Sequence, residues 1–223
     1  MDVDQLAQIV QTIAIYALPV LFAITLHEAA HGYVARHFGD MTAHAQGRIS
    51  LNPMRHVDPV GTILVPILIL AATLAAGTGG FLFGWAKPVP VNYSALRRPR
   101  QHMACVAAAG PGANLAMALA WAALLKLAVL MPENLFALPL ALMAKAGIVV
   151  NLLFMFLNLL PILPLDGGRI LASLLPHRAA WQYAKLEPWG LPVLVLLLLT
   201  NVLNFVLEPL VGASDALIRA LVS

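Results

Sequence analysis

Apolar residues gather in five long stretches of this chain, about Ile9 to Arg36, Val60 to Ala76, Ala104 to Leu130, Leu135 to Leu160 and Leu191 to Leu210, with polar residues collected in the gaps. A helix needs about 20 apolar residues to cross a bilayer core, so this pattern predicts an all-α polytopic membrane protein built as a helical bundle. The gaps carry their own signals. Gly47 to Pro53 reads as a short strand ended by a turn. Phe81 to Val91 has prolines at alternate positions, Pro88 and Pro90, which cannot sit in a helix interior; it reads as an extended edge segment. No internal repeat, low-complexity linker or appended soluble domain is visible, so a single domain over residues 1–223 is expected.

Composition supports an integral membrane protein: 61% of residues are hydrophobic and 10% charged, against about 25% charged in a soluble domain. The first residues, Met1 to Gln5, are acidic, and the first apolar stretch is too long for a signal peptide, so it is expected to stay in the mature protein. One cysteine, Cys105, excludes an intrachain disulfide and a cysteine-based zinc site. The net charge of +3 comes from basic residues in loops, a pattern of membrane orientation rather than of nucleic-acid binding. Arg36, Arg48, Arg55, Lys87, Arg97, Arg98, Arg100, Arg169, Arg178 and Lys185 flank three loops, while the connection near Met131 to Leu135 holds Glu133. If those basic loops are all cytoplasmic, Val60 to Val91 enters the membrane and returns to the same side as a re-entrant segment. The basic run from Ser94 to His102 is expected at the lipid headgroups.

Chemistry enters inside the first apolar stretch, at His27-Glu28-Ala29-Ala30-His31. Residues four apart on a helix face the same way, so His27 and His31 can hold one Zn²⁺ while Glu28 takes a proton from water. Buried, hydrogen-bonded core histidines are the structural alternative, and they leave a glutamate at membrane depth unexplained. A catalytic zinc usually has three protein ligands. The downstream acids are Glu133, Asp166, Glu187, Glu208 and Asp215, and Asp166 closes the fourth apolar stretch after Pro161 and Pro164 and before Gly167 and Gly168. Prolines that stop a helix and glycines that free the backbone let that carboxylate turn into the bundle, although a helix N-cap is its other reading. The re-entrant topology puts Asp166 and the histidines on one membrane face. His37 is about 15 Å along a helix from His27 and cannot share its metal. Surface or structural roles are expected for His44, His56, His102 and His177.

With Asn158-Leu159-Leu160-Pro161-Ile162-Leu163-Pro164-Leu165-Asp166-Gly167 downstream of the two histidines, the chain resembles the site-2 protease family of intramembrane zinc metalloproteases, peptidase family M50. Gly110-Pro111-Gly112-Ala113-Asn114 resembles that family's middle core helix. The resemblance covers nearly the whole chain, in the small form without PDZ or CBS domains. It implies one catalytic Zn²⁺ and cleavage of single-span membrane protein substrates in or near the lipid bilayer. A multi-pass protein of a prokaryotic plasma membrane is expected, with its active site nearer the cytoplasmic face. Asn158 has two readings, a group that binds substrate or the developing oxyanion and an interhelical hydrogen bond; Asn114 has the same two, with the structural one favoured by Gly110 and Gly112. Asn151 is a weaker candidate. Gly84 to Val91 either pairs its backbone with an unwound substrate or plugs the fold. Two rivals stay open: a metalloprotease whose third ligand is a glutamate, and a non-proteolytic zinc-binding or transport protein.

Overall fold

The computed structural model describes residues 3–65, 67, 68 and 86–222. Its long helices are α1 (Val3–His37), α3 (Pro99–Leu130) and α4 (Ala137–Asn158), and each contains a stretch long and apolar enough to cross a membrane. A single helical turn, α2 (Thr42–Ala45), follows α1, and four helices complete the chain: α5 (Asp166–Leu174), α6 (His177–Ala184), α7 (Glu187–Leu199) and α8 (Val202–Val222). Prolines set several boundaries. Pro99 opens α3, where its missing N–H is not needed. Pro132 and Pro161 disfavour helical backbone in the residues before them, and α3 and α4 end just short of each.

Helix α1 runs antiparallel to α3, because Ala23 meets Asn114 while His31 meets Val106. One buried cluster, Met117, Ala118, Trp121, Ala122, Leu125, Ala144, Ile148, Leu152 and Ile218, joins α3, α4 and α8. A second, Ala35, Leu96, Met103 and Val106, ties the end of α1 to the start of α3. Outward residues such as Ile13, Leu119, Leu153, Leu196 and Phe205 remain exposed, the inverse of a soluble surface and the face a bilayer would cover.

Two sequence expectations change here. The strand expected over Gly47 to Pro53 is irregular chain, as is Ala86 to Val91, and no strand occurs among the described residues. Side chains satisfy these backbones in place of a ladder: the Arg48 guanidinium donates to Lys87 O at 2.8 Å and Pro88 O at 3.2 Å, and Val89 N–H donates to a carboxylate at 2.7 Å. The apolar stretch Leu191 to Leu210 is not one straight helix. Asn201, at φ 60°, separates α7 from α8, which bend 80° apart. As the prolines imply, α4 stops at Asn158 and a new helix, α5, starts at Asp166.

The expected re-entrant excursion falls largely on residues 66 and 69–85, which lie outside the described residues, as does the segment 81–85. Its two ends are described. Phe38 O accepts from Arg97 N at 3.1 Å, so the chain leaves α1 and returns to α3 at the same end of the bundle.

Candidate metal centre

His27 and His31 lie one turn apart on α1, and both rings point at α3 and α5. Nε2 of His27 is 3.1 Å from Asp166 Oδ2, Nε2 of His31 is 3.3 Å from the same oxygen, and the two nitrogens are 3.1 Å apart. Three donors bound to one ion at about 2.0–2.1 Å in a tetrahedral arrangement would sit about 3.3 Å apart, so the triangle has the dimensions of a zinc site.

The far side of each ring fixes its protonation. His31 Nδ1 lies 2.7 Å from Val106 O. A carbonyl oxygen only accepts, so Nδ1 carries the hydrogen and Nε2 keeps a bare lone pair when the ring is neutral. His27 Nδ1 lies 2.6 Å from Asn114 Oδ1. The direction of that amide follows from its neighbours: Asn114 Nδ2 donates to Ala23 O at 3.3 Å and Asn151 Oδ1 at 3.1 Å, while Asn151 Nδ2 donates to Gly147 O at 2.8 Å. His27 Nδ1 is therefore the donor too. Two bare nitrogens and a carboxylate oxygen then crowd together, and Asp166 Oδ2 is buried with no hydrogen-bond partner. Such a set repels itself unless a cation lies among its members, which is the electrostatic argument that these residues fit a metal ion.

The backbone leaves room for one. A Cβ placed on Gly110 would stand 2.5 Å from His27 Cε1, His27 Nε2 and His31 Nε2. On the opposite wall, the loop carrying Asp166 is pressed against glycines: a Cβ on Gly167 would meet Leu159 O at 2.2 Å and one on Gly190 would meet Leu163 O at 1.5 Å. Tyr183 Oη–H adds a bond to Pro161 O at 2.8 Å. Asp166 is the first residue of α5 rather than an N-cap before it, and the helix N-terminus favours its negative charge.

Glu28 flanks the triangle in a cavity of about 120 Å³ that His27, His31, Asp166, Asn158 and Arg169 also line. Its Oε2 accepts from Val89 N–H at 2.7 Å. Pro88 and Pro90 have no N–H, so Val89 supplies the one amide hydrogen of that tripeptide. Asn158 spends one amide hydrogen on Phe154 O at 2.9 Å and lines the cavity, whereas Asn114 is fully buried behind His27 with both nitrogen hydrogens engaged. His37 is exposed at the end of α1 and rests edge-on against Phe38, away from the triangle. Among the described residues His27, His31 and Asp166 are the only group of at least three possible ligands able to share an ion. Sequence reasoning missed the Val106 carbonyl, Val89 N–H and Arg169. Pro111 was no signal for the first, because its missing N–H frees the carbonyl of Ala107 rather than that of Val106.

Known proteins are similar to this chain in sequence. The family model for "Peptidase family M50" matches residues 129–200, the part that contains Asn158 and Asp166. The chain is 37% identical over 206 residues to "Putative zinc metalloprotease YwhC" of Bacillus subtilis, covering 91% of this chain and 88% of that protein. It is 31% identical over 185 residues to "Putative zinc metalloprotease Rip2" of Mycolicibacterium smegmatis, covering 82% of this chain and 66% of that protein. No solved structure matches the chain.

Proposed function

Because the chain belongs to peptidase family M50, the site-2 protease family, we propose that it is an intramembrane zinc endopeptidase that cuts membrane proteins within or near their spans. The observation that carries this reading is the convergence of His27, His31 and Asp166 on one point with Glu28 beside them in the same cavity. His27, His31 and Asp166 would hold the ion, which when bound polarises the scissile carbonyl and makes water more acidic. Glu28 takes the proton from the attacking water and later gives it to the leaving amine as the C–N bond breaks. Asn114 and the Val106 carbonyl hold the two imidazoles with Nε2 facing inward. Asn158, which lines the cavity with Pro88, Val89 and Val91, binds the backbone of an unwound substrate in this reading. Single-span proteins are the substrates, in a prokaryotic plasma membrane, with water reaching the site from the cytoplasmic face. The common end at which residues 39–98 leave and rejoin the bundle supports a re-entrant path between them.

The test pairs metal analysis with proteomics. Purified Glu28→Gln protein should keep about one zinc per chain, and membranes containing it should accumulate intact single-span proteins that the wild type removes. Equal membrane proteomes would favour a zinc-binding or transport protein. Zinc retained by Asp166→Ala would assign the third ligand to a glutamate instead.

A further inference from the structure

Arg169 is a cation at the mouth of this site that forms no ion pair among the described residues. It stands three residues after Asp166 on α5, one turn on and so on the same side. It lines the cavity together with the three donors and Glu28, and it is partly buried. Its Nε donates to Pro164 O at 3.3 Å, which anchors the base of the guanidinium to the loop that presents Asp166. No carboxylate of a described residue lies within ion-pair distance of it, and its two terminal amino groups make no hydrogen bond to a described residue. A half-desolvated guanidinium without an anion is expensive to keep. Its planar fork is suited to a negative oxygen in a partly buried cavity, where such a contact counts for more than it would in open solution.

We propose that Arg169 is a catalytic residue: its free amino groups bind the scissile carbonyl oxygen and stabilise the negative charge that develops there. This inference rests on the peptidase reading above. When water adds to the carbonyl carbon, the C=O electron pair moves onto oxygen, and Arg169 holds that charge. The pair returns as the C–N bond breaks, with the amine leaving on the proton carried by Glu28. Arg169 stays protonated throughout and holds the charged oxygen more strongly than the uncharged ground-state amide, so its effect falls mainly on kcat.

The test uses the full-length, zinc-loaded protein in vesicles with a fluorescent single-span peptide that the wild type cleaves, and a phosphinic analogue of that peptide at the mapped bond. Arg169→Gln should lower kcat by about 10²–10³-fold, with KM within about threefold and zinc content unchanged. It should weaken the anionic analogue by at least about tenfold while leaving the uncleaved peptide, measured in the Glu28→Gln background, bound as before. Arg169→Lys should recover part of both losses and controls for folding. A kcat within about threefold of wild type, loss of zinc, or equal weakening of peptide and analogue would overturn the assignment. Cleavage that survives Glu28→Gln sinks the peptidase reading itself; cleavage that survives only Arg169→Gln sinks this inference alone.

Discussion

At Gly110 one methyl group is the difference between a metal centre and a plug. Its Cβ would stand 2.5 Å from both histidine Nε2 atoms, with helix backbone behind it that cannot retreat. Gly110→Ala should therefore empty the protein of zinc while leaving helix content by circular dichroism unchanged; a full zinc complement would show that the rings can move. Asn114 acts on the other side of His27. Asn114→Leu removes the acceptor that fixes the ring, and chelator competition should show zinc affinity falling by about 10–100-fold. Unchanged affinity would make the 2.6 Å contact incidental. The positions of His27, Glu28, His31 and Asp166 were readable in the sequence because spacing on a helix and a proline-broken span each leave a pattern. The partner of His27 was not, since Asn114 lies 87 residues away, and the partner of His31 is a backbone carbonyl, which no residue letter reports.

Helices were legible as apolar runs, and α1, α3 and α4 follow them closely, the last two ending just before prolines. The segment from Ala86 to Val91 was not, because its position depends on groups far along the chain. Arg48, Lys87, Pro88, Val89 and Glu28 form a relay in which the arginine grips two carbonyls and the next amide reaches the carboxylate. Arg48→Ala should release this strap, and hydrogen exchange at Val89 N–H should accelerate by at least about tenfold, with zinc content unaffected. Protection that persists would mean that the prolines and the bond from Lys87 N–H to His56 O hold the segment without Arg48. The bend between α7 and α8 escaped the hydropathy pattern because Thr200 and Asn201 interrupt an apolar run without ending it; only the backbone at Asn201 reveals the corner.

Across the whole molecule, loop charge and ligand geometry ask for the same topology. In a Cys105→Ser background, needed because Cys105 is exposed, Ser50→Cys should react with an impermeant thiol reagent only from the cytoplasmic side. Glu133→Cys, in the exposed turn between α3 and α4, should react only from the other side. Labelling of both from one side would refute this orientation. The cavity carries a consequence of a different kind. The three donors, Glu28 and Arg169 share that space with Pro88, Val89, Val91, Met103 and Val106. A peptide reaching the donors would meet charged and apolar walls at once, so its charge and its bulk would be judged together.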